Sequence, residues 1–289
     1  MGRELADDHA AARRVFEQAD AALGAPLSRL MWEGPEEELT LTRNAQPAIL
    51  VHSYAVLVVL RDRLGEVALA AGHSLGEFSA HVAAGTLSFE DALRAVRLRG
   101  ELMHKAGVER PGTMAAVLGL GEDAMRAACA AVTAGICVPA NFNSDWQVAI
   151  SGDEAGVAEG MARAKEAGAK RAVPLNVSGA FHSPLMEPAQ QGLRAHLEGI
   201  TFSDPAFPVV SNVTAEPVRS GAEARELLVR QLTAPVLWCA SIATMLREGA
   251  DRFLELGPGS VLCGLNKRNA KGAPCAFAGT PAEVEAWKP

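Results

Sequence analysis

The sequence predicts an α/β protein, and three observations support this class. Apolar helical segments alternate with short apolar runs that end at glycine, such as Glu66 to Gly72. The 289 residues, 49% of them hydrophobic and 21% charged, suffice for one large domain or two modest ones. At Pro111-Gly112 the pattern changes, and a second unit is predicted to begin there.

The first third of the chain is predicted to be mainly helical. Apolar residues at helical spacing predict a helix over Glu4 to Leu23. The run Ala48 to Leu60 is strongly apolar and too long for a strand, so we expect a buried helix. Residues Glu66 to Gly72 are predicted to form a buried parallel strand, followed by helices over 77–84 and 89–105.

The middle of the chain alternates strands and helices in another order. We predict helices over 122–134 and 153–167, and strands over 113–120, 137–143, 147–151 and 170–175. This βαββαβ order is that of a ferredoxin-like subdomain, which we place at residues 113–176. Residues 1–112 and 177–289 then form one discontinuous large α/β domain with a parallel sheet. The tail after Lys271 is expected to be loosely held.

Composition argues against several kinds of function. A net charge of −7 without any block of like charge argues against a nucleic-acid partner. The five cysteines are scattered and form no C-x-x-C pair, so we expect neither a zinc site nor disulfides, as in a reducing cytosol. No segment has the pattern of a membrane span or a signal peptide. We expect a cytoplasmic monomer without metal, cofactor or membrane partner.

The residues Gly72-His73-Ser74-Leu75-Gly76 stand between a predicted strand and a predicted helix. This is the context of a nucleophile elbow, whose sharp turn pushes the serine out of the sheet and makes the large domain α/β-hydrolase-like. Side chains two residues before and after the serine are expected to collide, which requires glycine at both positions. The helix N-terminus favours negative charge at the site, and the N–H of Leu75 is the natural oxyanion donor. The alternative is a glycine-rich loop with an incidental serine.

A nucleophilic serine needs a base, and His182 is the best placed of the seven histidines. It lies in a loop of small residues between a strand and a helix, where functional side chains concentrate. His73 is adjacent to the serine, but neighbouring side chains at a sharp turn point apart. We expect His52 in the core and His81 on a helix surface.

The sequence offers no obvious acid to complete a triad. In α/β-hydrolases the histidine comes late, after the acid, whereas here no histidine follows His196 and the late region offers only Glu255. A backbone carbonyl that orients His182 would instead complete a Ser–His dyad. This order counts against a plain esterase.

Seven segments, spread over nearly the whole chain, carry a family resemblance. They are Gly72-His73-Ser74-Leu75-Gly76-Glu77, Arg97-Leu98-Arg99-Gly100, Asn141-Phe142-Asn143-Ser144, Ser178 to Met186, Ser211-Asn212-Val213, Gln231-Leu232 and Glu255 to Gly259. With these segments in this order, the chain resembles the malonyl-CoA:acyl carrier protein transacylases and the related acyltransferase domains of polyketide synthases.

The resemblance implies a role for each of four residues. Ser74 is the nucleophile and His182 is the base, in agreement with the motifs. The main-chain carbonyl of Gln231 orients the imidazole. Arg99 binds the free carboxylate of the substrate, which suits a planar guanidinium. Without the resemblance, Arg99 would be interpreted as a surface charge on its helix.

Two further positions and the reaction follow from the same resemblance. Phe181 is similar to the malonyl-selecting form of the family, and Asn143 is expected near the site from the small domain. The implied reaction transfers malonyl from malonyl-CoA to the phosphopantetheine thiol of acyl carrier protein, by a ping-pong mechanism through Ser74, in fatty acid synthesis. The rivals are a discrete polyketide acyltransferase, a serine hydrolase or thioesterase, and an inactive carrier-binding scaffold.

One part of the family pattern does not occur in this sequence. Family members begin with a strand ending in Gly-Gln-Gly-Ser-Gln, whose glutamine helps to form the oxyanion hole. Gly2 corresponds to the position just after that segment, so the chain looks shortened. We therefore expect a gap in the large sheet, an exposed strand edge and one oxyanion donor fewer.

Overall fold

Helices and strands alternate along the computed structural model, which describes residues 1–288. The helices are α1 (Arg3–Asp8), α2 (Ala10–Leu23), α3 (Leu27–Glu33), α4 (Glu36–Thr40), α5 (Thr42–Leu60), α6 (Gly76–Ala83), α7 (Phe89–Glu109), α8 (Glu122–Ala130), α9 (Glu154–Glu166), α10 (Glu187–Glu198), α11 (Gly221–Arg230), α12 (Trp238–Arg247), α13 (Val261–Asn269) and α14 (Pro281–Ala286). The strands are β1 (Ala70–Ala71), β2 (Thr113–Leu118), β3 (Cys137–Ser144), β4 (Gln147–Gly152), β5 (Arg171–Pro174), β6 (Val209–Val210), β7 (Pro217–Val218), β8 (Phe253–Leu256) and β9 (Cys275–Ala278).

The buried helix expected from the apolar run is α5, which packs against α2 and α7 in the main core. Pro47 lies inside it and has no amide to donate to the carbonyl four residues earlier. That carbonyl, of Arg43, instead accepts a hydrogen bond of 2.8 Å from Nη1 of Arg97 on α7. The proline is therefore accommodated by a cross-link to the helix that carries Arg99.

The strands of the large part form two separate sheets. β1 pairs in parallel with β6, β6 pairs with β7, and β8 pairs only with β9 within residues 1–288. A cavity of about 1860 Å³ reaches from Ser74 along Leu69 to Phe253, between β1 and β8. The strand predicted over Glu66 to Gly72 is wrong in extent, because it forms a ladder only where β6 runs beside it. Its start is not buried, and Ala68 is exposed.

The second unit is a four-stranded antiparallel sheet with the strand order β3-β4-β2-β5. Helices α8 and α9 share one apolar core with this sheet, around Met125, Ile150 and Val157. The end of β3 is hydrogen-bonded to the large part, because the N–H of Phe142 donates to the carbonyl of Val236 at 2.9 Å. The small sheet is thus fixed next to the cavity.

The C-terminal tail is ordered, so the expectation of a loosely held segment is wrong. Strand β9 pairs with β8, and Thr280 and Glu283 form a capping box at the start of α14. Val284 is 1% exposed and belongs to the main core. Neither the apolar anchor nor the cap was predicted from the sequence.

The expectation of no disulfide is also wrong. Cys263 on α13 and Cys275 on β9 are bonded, with their Cα atoms 5.5 Å apart. The pairing of β8 with β9 brings them together, which isolated cysteine spacing does not predict. None of the helices in residues 1–288 combines the length and the apolar character needed to cross a membrane.

Candidate active site

Ser74 occupies a sharp turn between β1 and α6, with a left-handed backbone (φ 52°). Gly72 is required there, because a Cβ atom on it would lie 2.0 Å from the backbone of Gly76. The prediction that Gly76 is also required for space is wrong, since a Cβ atom on it would meet nothing within 4 Å. The close approach therefore involves Cα of Gly72 and the main chain of Gly76, not two side chains.

Asn212 holds this turn from the neighbouring strand. Its Oδ1 accepts from the N–H of Ser74 at 2.7 Å, and its Nδ2 donates to the carbonyl of Gly72 at 2.8 Å. Asn212 follows β6, and the parallel pairing of β6 with β1 brings the ends of the two strands together. This role of Asn212 was not predicted from the sequence, although a polar residue directly after a parallel strand is a signal for such a site.

The hydroxyl of Ser74 contacts the imidazole of His182. The distance from Oγ to Nε2 is 2.8 Å, and His182 Nδ1 lies 2.9 Å from the main-chain oxygen of Gln231. Since a carbonyl only accepts, Nδ1 carries the proton and Nε2 is left to accept from the serine. Burial and the charge of Arg99 lower the pKa of His182 to about 3, although the bond to Gln231 opposes this. The imidazole is therefore neutral at pH 7.

Arg99 is 1% exposed, so the surface-charge interpretation is wrong. Helices α7 and α5 touch at Gly100, where a Cβ atom would lie 2.7 Å from Cα of Arg43. This contact brings Arg99 Nη1 to Oε1 of Gln46, while Nη2 donates to Ser74 Oγ and to Gln231 Oε1, both at 2.9 Å.

The guanidinium of Arg99 has donors to spare. Within residues 1–288 three of its five N–H groups have acceptors, and its Nε is unpartnered although buried. Burial lowers the pKa of Arg99 to about 10, and the charge of Glu77 opposes this, so the group remains cationic at neutral pH. A buried cation with free donors beside the serine is suited to a carboxylate.

The other predicted site residues surround this centre. Leu75 is buried and precedes α6, and no acceptor within residues 1–288 takes its N–H. Phe181 lines the cavity, and Asn143 Oδ1 lies 2.9 Å from Nε2 of His73. Glu255 also lines the cavity, but its oxygens accept from the N–H groups at the start of α13.

Comparison with known proteins places the chain in a family. Residues 1–283 match the acyl transferase domain, and the chain belongs to this family. It is 46% identical over 270 residues to the malonyl CoA-acyl carrier protein transacylase of Bacillus subtilis, with 93% of this chain and 85% of the relative covered. The transacylase of the same name from Escherichia coli is 44% identical, with 93% and 87% covered.

Solved structures agree with this assignment. An acyl carrier protein S-malonyltransferase from Vibrio cholerae superposes with a TM-score of 0.95 at 39% identity, covering 99% of this chain and 94% of that one. A malonyl-transacylase solved in complex with its type II PKS acyl-carrier protein gives a TM-score of 0.94 at 41% identity, covering 99% and 93%.

Proposed function

We propose that the protein transfers a malonyl group from malonyl-CoA to the phosphopantetheine thiol of acyl carrier protein in fatty acid biosynthesis. The observation that carries this proposal is the placement of Ser74 Oγ between a neutral base and a buried cation, 2.8 Å from His182 Nε2 and 2.9 Å from Arg99 Nη2. The names of two relatives that are 46% and 44% identical, both malonyl CoA-acyl carrier protein transacylases, support it.

The first half-reaction forms a malonyl ester of Ser74. His182 Nε2 takes the hydroxyl proton while Oγ attacks the thioester carbon, and the imidazolium is stabilised by the carbonyl of Gln231. The free N–H of Leu75 donates a hydrogen bond to the oxyanion. Collapse of the tetrahedral adduct expels the CoA thiolate, which takes the proton from His182.

The second half-reaction repeats this chemistry with another thiol. His182 deprotonates the phosphopantetheine thiol, the thiolate attacks the ester carbon, and Ser74 leaves with the proton from the imidazolium. Arg99 holds the malonyl carboxylate through both steps, which positions the reacting carbon. Phe181 and Asn143 border the space that the acyl group occupies. Every group in this scheme belongs to the chain or the substrates, so no cofactor or metal is required.

The same proposal extends to the architecture. We assign residues 1–112 and 177–289 to a large α/β-hydrolase-like domain, because a strand, an elbow serine and a helix follow one another as in that fold. We assign residues 113–176 to a ferredoxin-like subdomain, supported by its βαββαβ order and the strand order β3-β4-β2-β5.

The experiment incubates the protein with radiolabelled malonyl-CoA and maps the adduct by peptide mass spectrometry. We expect stoichiometric label on Ser74 and none in Ser74→Ala. An unlabelled protein, or equal label in the variant, would sink the proposal and favour a carrier-binding scaffold.

A further inference from the structure

Glu77 is a completely buried carboxylate next to the proposed catalytic centre. It lies in the first turn of α6 and is 0% exposed. No Lys or Arg side chain within residues 1–288 forms an ion pair with it. Burying a carboxylate costs free energy unless its oxygens accept hydrogen bonds. The presence of Glu77 among neutral donors therefore requires an explanation.

The donors to Glu77 are two residues that both hold the nucleophile. Its Oε2 accepts from Nε2 of Gln231 at 2.5 Å and from the N–H of Asn212 at 3.2 Å. Asn212 in turn accepts from the N–H of Ser74, and Gln231 Nε2 also donates to the carbonyl of Ser74 at 3.0 Å. One oxygen therefore ties together the two clamps on the backbone of Ser74.

Glu77 acts together with the carbonyl of Ser74 and with Arg99 to fix which way the amide of Gln231 faces. A carboxylate only accepts, so the NH₂ group of Gln231 turns towards Glu77, and Oε1 then turns towards Nη2 of Arg99. The flipped amide would set donors against Arg99 and an oxygen against Glu77. The main-chain oxygen of the same Gln231 receives Nδ1 of His182.

The protonation of Glu77 agrees with this environment. Burial raises its pKa to about 7, while the hydrogen bonds from Gln231 and Asn212, the nearby hydroxyl of Ser211 and the charge of Arg99 lower it. Its second oxygen, Oε1, has no partner within residues 1–288. A proton or an amide nitrogen at Oε1 thus leaves both bonds to Oε2 intact.

We propose that Glu77 is a positioning residue that aligns Ser74, His182 and Arg99 through hydrogen bonds to Asn212 and Gln231. This inference rests on the proposed function, because the reaction that Glu77 supports is malonyl transfer. Its requirement is a hydrogen-bond acceptor at Oε2, not a charge. The alternative is that Glu77 only stabilises the fold.

The test compares Glu77→Met, which removes the acceptor from an unbranched side chain, with Glu77→Gln, which retains it. We expect Glu77→Met to lower the acylation rate of Ser74 at saturating malonyl-CoA by about 10²-fold, the effect of a misplaced reacting group. The acylation rate of Glu77→Gln should stay within about 3-fold of that of the unsubstituted protein, because this variant keeps the acceptor. Losses of about 10- to 100-fold are expected only where a supporting hydrogen bond is lost. The rate with a neutral fluorophosphonate, which needs Ser74 and His182 but no carboxylate site, should fall in parallel.

A matched control separates positioning from stability. Leu93→Ala empties part of the core of α7, where Leu93 is 0% exposed, without touching the network. It should lower the melting temperature and leave both rates unchanged. If Glu77→Met lowers the melting temperature but keeps both rates, or if Glu77→Gln loses as much activity as Glu77→Met, the proposal is overturned.

Two further results also test the role of Glu77. Should Glu77→Met not fold, Glu77→Asp withdraws the acceptor by one methylene and must slow labelling by at least about 10-fold, and an unchanged rate contradicts the proposal. Should the unmodified protein react with fluorophosphonate but not with malonyl-CoA, the proposed function fails, whereas the fluorophosphonate rates still test Glu77.

Discussion

At the scale of single residues, the hydroxyl of Ser74 depends on partners from distant parts of the chain. The base comes from a loop 108 residues away, and the clamp Asn212 is 138 residues away. Arg99 lies only 25 residues away, but its orientation is set by Gln46 and Gln231. The site is therefore a product of the tertiary structure, in which each partner constrains the next.

Replacement of Arg99 by alanine tests the carboxylate site. We expect the preference for malonyl-CoA over acetyl-CoA to fall by about 10- to 100-fold, because a charge-assisted hydrogen-bond pair is lost. The measurement is kcat/KM for each thioester. Arg94→Ala, an exposed arginine on the same helix, is the control and should change neither value. An unaltered preference in Arg99→Ala would favour a hydrolase of neutral esters.

Local motifs indicated some of the candidate site residues and not others. Ser74 lies in a five-residue signature, and His182 in a loop of small residues, so both were accessible from the sequence. The burial of Arg99 was not accessible from its own helix, because it arises where α7 meets α5 at Gly100. His81 was expected at the surface and is 0% exposed for the same kind of reason.

At the scale of elements, the elbow between β1 and α6 provides a matched pair of glycines. We expect Gly72→Ala to lower the free energy of unfolding by about 1–3 kcal/mol or more, because its Cβ atom overlaps the backbone of Gly76. Gly76→Ala should change it by less than about 0.5 kcal/mol, as at other open positions. Urea unfolding of both variants checks this. Equal losses in the two would contradict the geometry.

Elements with strong local patterns were predicted well, and those defined by partners were not. Helix α7 has a capping serine, Ser88, before it and apolar residues at helical spacing along it, and it begins at Phe89 as predicted. Strand β1 has two residues because its length depends on β6, and the tail is ordered because β9 has β8 to pair with. The residues of a short apolar run do not show which distant strand it pairs with, so its length as a strand cannot be predicted from them.

At the scale of the whole molecule, buried titratable groups link stability to pH. Burial lowers the pKa of His182 to about 3 and those of His52 and His81 to about 4, all from an ordinary value of 6.5. Below pH 6.5 these histidines therefore bind protons in the unfolded chain but stay neutral in the folded chain, which lowers stability. Glu77 acts in the opposite direction, because its raised pKa of about 7 lets the folded chain bind a proton that the unfolded chain releases above pH 4.5.

These three histidines, together with His73, whose pKa burial also lowers, outweigh one carboxyl, so acid should destabilise the fold. Between pH 6.5 and 5 we expect the free energy of unfolding to fall by at least about 3 kcal/mol, at about 1.4 kcal/mol per pH unit for each net proton. Urea unfolding across this range measures it. His81→Leu removes one buried histidine and should give a shallower dependence, whereas stability that rises towards pH 5 would contradict the assignment of buried neutral histidines.

The central claim is that Ser74 carries malonyl from one thiol to another. The most direct measurement isolates the protein labelled with malonyl-CoA, removes free thioester, and follows the label after holo acyl carrier protein is added. We predict that the label leaves Ser74 and appears on the phosphopantetheine thiol, and that without carrier protein it stays on the serine. Release as free malonate at the same rate with and without carrier protein would contradict the account.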